Sequence, residues 1–359
     1  MWSLKTSCLM TLGANMLRNL LQGACLVSIL VVTLSACDNN AERIEVLSGP
    51  AQGSTYTIKY VSSPTTPKAD AMGVAVQGIL DEVDRQMSTY RLDSDIARFN
   101  QSPAKTCMKM PQPVLDLVQY GYELSILSDG AFDLTLGPLL NVWGFGPQSR
   151  GKQVPSAQEI AAAKTQTGYK HVRVVGDQLC KDADVQVDLN SIAAGYTVDR
   201  ISERFAELNV DNYMIEVTGE LIAVGRKPDG SPWRIALEQP LGDGQRVIQQ
   251  ILELDGYGVN TSGDYRNYFE EGGVRFSHTL DPRVGAPISH RLASVTVIDR
   301  STLHADGLGT LLLVLGPERG LAFAEEHGIA AFFVLRDDDG FVTQVSSEFS
   351  RIFPEGGNQ

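Results

Sequence analysis

Hydrophobic and polar positions change period several times along this chain. "TYTIKYV" (55–61) alternates polar and apolar residues as a half-buried strand does, whereas residues 70–88 repeat at helical spacing through Ile79, Leu80, Val83 and Met87. A second helix is predicted from Pro113 to Leu127, stopped near Gly130, and Ser156 with Glu159 forms a capping box that opens a third over "AQEIAAAKTQ". Strands are expected at 171–175 and 184–189, a helix over 191–208, and further strand-like segments at 213–225 and 233–240. "ASVTVI" (293–298) reads as a strand, 303–316 and 318–328 as helices, and "AAFFVL" (330–335) as the last strand. The alternation lacks the regular βαβ beat of a parallel sheet, which places the chain in the α+β class, with mixed or antiparallel sheets flanked by helices. Residues 62–68 read as a turn-rich loop, and there is no repeat, coiled coil or low-complexity segment.

The N-terminus follows another pattern. An apolar run from Leu26 to Leu34, too short for an ordinary membrane span, ends in Leu34-Ser35-Ala36-Cys37, the small-residue approach to a cysteine found in bacterial lipoprotein signals. The expected organisation is a signal peptide over 1–36, a lipidated Cys37 and tether over 37–45, and a globular domain over 46–359. Either Met1 or Met16 can start the leader. Asp38 resembles an inner-membrane retention signal, so the domain is expected on the periplasmic face of the inner membrane, held by acyl chains.

Composition narrows the chemistry. Removing residues 1–36, which carry Lys5 and Arg18 and no acidic residue, takes the net charge from −13 to −15 and disfavours nucleic acid. Of five cysteines only Cys107 and Cys180 then remain unmodified, as one disulfide or as two thiols. The absence of CxxC, HxxH and HExxH argues against zinc, and Ser149 in "GFGPQS" (144–149) stands where a dinucleotide fingerprint requires its third glycine.

Four constellations carry candidate chemistry. Asp306 and Thr310 lie at i and i+4 of a predicted helix, so a carboxylate and a hydroxyl share one face, an oxygen donor set suited to Mg²⁺. Asp188 precedes a helix that begins near Ser191, where unpaired N–H groups offer a seat for a diphosphate. "GAFDLTLGPLLNVWGFG" (130–146) presents Asp133 after Phe132 and before an apolar strand, with Trp143 and Phe145 read as core. His278 is followed by Asp281-Pro282-Arg283, a carboxylate to orient the imidazole and a guanidinium to meet phosphate. These segments spread from 49 to 310, which favours one composite site at the junction of two lobes over two independent domains.

Taken together, "GPAQGSTYTIKY" (49–60), "MSTYRLDSDIARFN" (87–100), "GAFDLTLGPLLNVWGFG", "DLNSIAAGYTVD" (188–199), "TSGDYRNYF" (261–269), "SHTLDPRVGAP" (277–287) and "HADGLGT" (304–310) resemble the ApbE family of periplasmic FAD:protein FMN transferases along the whole chain. The resemblance implies a two-lobed ApbE-like fold and Mg²⁺ on Asp306, Thr310 and the Ser191 carbonyl. It implies FAD contacts from Gln52, Tyr90, Ala131, Phe132, Asp133, Asp188, Ala194 and Leu280, and proton acceptance by His278. Three positions depart from the family pattern: Gln52 replaces a methionine, Ala194 a lysine or glutamate, and Val284 a threonine. The implied reaction places FMN from FAD on a threonine or serine hydroxyl of another protein, with release of AMP. The implied acceptors are subunits of membrane redox complexes of the Rnf or Na⁺-translocating NADH:quinone reductase type. Hydrolysis of FAD to FMN and AMP at the same site, or flavin binding without catalysis, are the alternatives.

Overall fold

In the computed structural model, which describes residues 42–149, 151–241, 247–265, 267–338 and 340–354, the period-two segments assemble into one eight-stranded sheet. Its strands are β1 (Arg43–Ala51), β2 (Ser54–Ser62), β3 (Tyr213–Val217), β4 (Glu220–Val224), β5 (Tyr257–Gly263), β6 (Leu292–Asp299), β7 (Ala330–Asp337) and β8 (Gly340–Val345). They neighbour one another in that order, antiparallel from β2 to β8, so the sheet is a meander interrupted by insertions. The insertions carry the helices α1 (Ala69–Met87), α2 (Asp95–Gln101), α3 (Gln112–Leu127), α4 (Gly137–Val142), α5 (Ala157–Lys164), α6 (Ala193–Glu207), α7 (Thr302–Leu315) and α8 (Pro317–His327), and α9 (Ser347–Ile352) follows the last strand. The α+β expectation holds.

Both faces of the sheet are covered, and β7 shows how. Phe333 and Leu335 pack with Val295, Val297, Leu311 and Leu312 under α7, while Phe332 and Val334 point into a separate cluster with Trp233, Leu252, Leu254 and Phe349. Strand alternation sends neighbouring residues to opposite faces. At the other end, Met72, Val76 and Leu80 of α1 and Val198, Ile201 and Phe205 of α6 close over Ile58, Tyr60, Ile215 and Val217. Each such fully buried side chain contributes about 1.5–3 kcal/mol.

A smaller lobe holds a three-stranded sheet in the order Thr106–Lys109, Gln178–Lys181, Val172–Val175. Cys107 and Cys180 sit directly opposite each other in it and form a disulfide, which resolves the open choice between a bridge and two thiols. Because the bridge closes a sequence separation of 73 residues, its reduction is expected to destabilise the domain by about 2–4 kcal/mol. Thermal melts with and without dithiothreitol measure this; equal melting temperatures would show that the lobe holds without the bridge.

The structure departs from the sequence reading at several elements. Residues 184–189 form no strand and pair with none among the described residues: the Asn100 side-chain amide takes both the N–H of Val187 (2.8 Å) and its carbonyl (2.9 Å), and the Asp188 N–H donates to Leu134 (2.7 Å). The segment after Asp133 is a turn followed by α4, whose Pro138 in the first turn favours helix over strand. Residues 330–335 are not the last strand, since β8 and then α9, capped by Ser346, follow. The segment 213–225 is a hairpin that turns at Thr218 (φ 58°) and Gly219 (φ 122°). Strand β5, the strand Ile248–Leu254 and the hairpin Tyr268–Glu271 with Val274–Ser277 were not anticipated. The signal segment, Cys37 and most of the tether lie outside the described residues, and Arg43 to Glu45, assigned to the tether, belong to β1.

Candidate active site

Two adjoining cavities gather most of the candidate residues. The larger, about 680 Å³, is lined by Gln52, Tyr90, Asn190, Ala193, Ala194 and Thr218 among others. The smaller, about 240 Å³, is lined by Tyr90, Asp133, Phe145, Asp188, Asn190, Ser191, Asn267 and His278. Tyr90 and Asn190 border both, so the two form one composite cleft. Phe145, read as core, packs against the cluster around Trp143 and also lines the cleft; Trp143 is buried, its Nε1–H donating to the Gly285 carbonyl (2.9 Å).

Tight local turns place the cleft's polar residues. Gln52 occupies the left-handed region (φ 47°) in the β1–β2 turn, and its Nε2 donates to Thr197 Oγ1 on α6 (2.7 Å), which fastens the turn to that helix. Asp133 Oδ1 accepts from the N–H and Oγ1 of Thr135 (2.7 Å each) and Oδ2 from the Tyr169 N–H (2.9 Å). Asp188 Oδ1 accepts from the Asn190 N–H (2.8 Å). Burial raises the pKa of both carboxyls, and these hydrogen bonds work against it. The side chains of Ala131, Phe132 and Leu280 lie in the core and line neither cavity, so only their backbone is left to meet a ligand.

His278 is half-buried in the smaller cavity with its ring edge toward Phe145. Its Nδ1 faces the Asn267 carbonyl at 3.1 Å. A carbonyl only accepts, so Nδ1 carries the proton and Nε2 keeps a lone pair. Burial lowers the pKa, with Lys152 adding to the effect while Asn267 and Asp264 oppose it. The imidazole is thus a neutral base near pH 7. The expected orienting role of Asp281 is not met: both its oxygens bond Arg283, and that guanidinium is likewise engaged (2.7 Å). Val284 is 61% exposed.

Helices α6 and α7 exchange carboxylates. Asp199 of α6 accepts from Ser301 Oγ (2.7 Å), the Thr302 N–H (2.8 Å) and the Leu303 N–H (3.0 Å), capping α7. Asp306 of α7 returns the favour through Oδ2, which accepts the Gly195 N–H (2.9 Å) in the first turn of α6. That amide is therefore withdrawn from Ser191, four residues earlier, whose carbonyl receives no hydrogen bond among the described residues. Of the amides at this helix start, those of Ile192 and Ala193 bond Leu189 and that of Gly195 bonds Asp306, so these three are not unpaired as the sequence reading expected.

Asp306 is 5% exposed, and its other oxygen accepts from Asn260 Nδ2 (3.0 Å), which also donates to Glu220 Oε1 (3.2 Å). Burial first and Glu220 second raise the Asp306 pKa well above the carboxylate range, and among the described residues neither carboxyl forms a salt bridge. The buried Asp306 and half-buried Glu220 carboxyls are paired with no cationic side chain among the described residues, and with the unclaimed Ser191 carbonyl and the Thr310 hydroxyl one turn on they are oxygen donors of the kind a hard divalent cation takes. Sequence reading missed Asn260, Glu220 and Asp199. The one available signal was an asparagine on the inward register of "YGVNTSG".

A family model described as the ApbE family matches residues 52–333. The chain belongs to the ApbE family. Among its relatives is the FAD:protein FMN transferase of Vibrio cholerae, 43% identical over 320 residues, 89% of this chain and 95% of that protein. The crystal structure of Pseudomonas stutzeri flavinyl transferase ApbE in its apo form matches with a TM-score of 0.83 at 57% identity, over 89% of this chain and 99% of that one. The Vibrio cholerae flavin transferase ApbE structure gives a TM-score of 0.81 at 41% identity, covering 86% and 99%.

Proposed function

We infer that this chain is a FAD:protein FMN transferase. The observation that carries the reading is the convergence of Tyr90, Asp133, Asp188, Ser191 and His278 on one cavity, in a chain of the ApbE family. A serine or threonine hydroxyl of the acceptor attacks the FMN phosphorus of FAD; the new P–O bond forms as the bond to the AMP oxygen breaks, AMP leaves, and the hydroxyl proton passes to His278 Nε2. Tyr90, Asp133 and Asp188 bound the flavin nucleotide, and Gln52 with Ala194 shapes the larger cavity. Asp306, Thr310 and the Ser191 carbonyl would hold Mg²⁺, which when bound would neutralise charge on the diphosphate.

Incubation with FAD and Mg²⁺, with and without acceptor, tests the reading. Transfer gives a flavin-fluorescent acceptor band and AMP that depends on acceptor. FMN and AMP without acceptor identify a hydrolase, and neither product identifies a flavin-binding protein without catalysis.

We further propose that Cys37 carries the lipid anchor, that the domain works on the periplasmic side of the inner membrane, and that Rnf-type or Na⁺-translocating NADH:quinone reductase-type subunits are its acceptors. The lipobox and the Cys107–Cys180 disulfide support the compartment. Among the described residues no helix is long and apolar enough to cross a membrane. Cys37→Ser is expected to leave an uncleaved or soluble form, because the lipid-bearing thioether cannot form. Normal membrane fractionation with the mature lipidated mass would refute the anchor.

A further inference from the structure

Asn260 lies on β5 beneath α7 and is 2% exposed. Its Nδ2 donates to Asp306 Oδ1 (3.0 Å) and Glu220 Oε1 (3.2 Å), while its Oδ1 accepts from Ser262 Oγ (2.9 Å). An amide nitrogen has two hydrogens, one for each carboxyl, and the serine hydroxyl fixes which end of the amide faces them. The reversed amide would set an oxygen against two carboxyls. The close approach depends on Gly309, between Asp306 and Thr310: a Cβ there would meet Asn260 Oδ1 at 2.2 Å and Ser262 Oγ at 2.9 Å. Helix α7 can rest on Asn260 because position 309 has no side chain.

We propose that Asn260 is the positioning residue of the cation site: it occupies one lone pair of Asp306 Oδ1, as the Gly195 N–H occupies one of Oδ2, and sets a neutral donor between Asp306 and Glu220. The remaining lone pairs of Asp306 and the Thr310 hydroxyl are then held ready for a divalent cation. This rests on the cation reading given above. Groups that orient ligating carboxylates typically change metal affinity by about 10–100-fold when removed.

The test uses the full chain without FAD or acceptor and titrates Mn²⁺, read by the EPR signal of the free ion, with Mg²⁺ as competitor. Asn260→Ala is expected to weaken Mn²⁺ binding by about 10–100-fold. Gly309→Ala, which pushes the amide out of place from the helix side, is expected to weaken it as well. The double variant is expected to lose less than the sum of the two single losses, since no amide remains to be displaced and only the contact with Ser262 Oγ persists. Wild-type affinity in Asn260→Ala overturns the proposal, and so do additive losses in the double variant. If Asn260→Ala fails to fold, Gly309→Ala decides alone, and wild-type affinity there overturns the proposal. A wild-type chain that takes up no Mn²⁺ defeats the cation reading itself and this inference with it, an outcome distinct from equal binding by wild type and Asn260→Ala.

Discussion

Alanine at position 278 is expected to slow FMN transfer by about 10²- to 10⁴-fold, the usual contribution of a general base, while FAD affinity is largely kept. The separation follows from the proposed roles: His278 would offer Nε2 to the incoming hydroxyl, whereas flavin contacts are assigned to Tyr90, Asp133 and Asp188 beside it and to the larger cavity. Single-turnover transfer measured beside FAD titration on one preparation checks this. Affinity and rate falling together would make His278 a binding or packing residue, and no change in either would move the base elsewhere. The wild-type pH profile carries the same information. A base works unprotonated, and burial lowers the His278 pKa from its ordinary value of 6.5, so the acid limb of the rate profile should be centred below 6.5. A limb centred above 6.5 would contradict that environment.

The second large effect is at Asp306. Asp306→Ala is expected to abolish Mg²⁺ dependence and cost on the order of 10² to 10³ in rate, comparable to the loss of a main electrostatic stabiliser. Asp306→Asn sharpens the test, because its amide oxygen can still accept from Gly195 while the charge is gone. An acid whose folded pKa is raised is most stabilising below its unfolded pKa and loses that contribution as pH rises through the folded value. In Asp306→Asn the new Nδ2 faces the Asn260 Nδ2 donor and costs stability, but because the charge is gone the melting temperature should fall less at high pH than at low pH while transfer collapses. Wild-type flavinylation by either variant would refute the metal assignment.

What the sequence made legible was local. The spacing of Asp306 and Thr310 is a helical repeat, and the capping box at Ser156 and Glu159 is a three-residue signal; α7 and α5 contain both as expected. The strap at 184–189 was misread because its apolar alternation is real, but its hydrogen bonds go to Asn100, 87 residues away, and to Leu134. Asn260 reaches Asp306 across 46 residues and Asp199 reaches Thr302 across 103, contacts that exist only after β5, α6 and α7 have packed. Asp281 failed in the opposite sense. Its nearness to His278 in sequence suggested a partner, but Arg283 is nearer in space and carries the charge that a carboxylate prefers.

The capping of α7 has a consequence for how the protein meets a polyanion. Its first-turn amides are all committed, Thr302 and Leu303 to Asp199 and His304 to Ser301 Oγ, so the positive end of this helix is closed by a fixed negative charge. Loops that cradle phosphate do the reverse and leave such amides bare. This fold shuts that door and sets the buried Asp306 on the same helix, so this helix end has no positive charge to offer a diphosphate. In the proposed reaction the positive charge that meets the donor's diphosphate would then have to come from a bound divalent ion, since this helix end offers none.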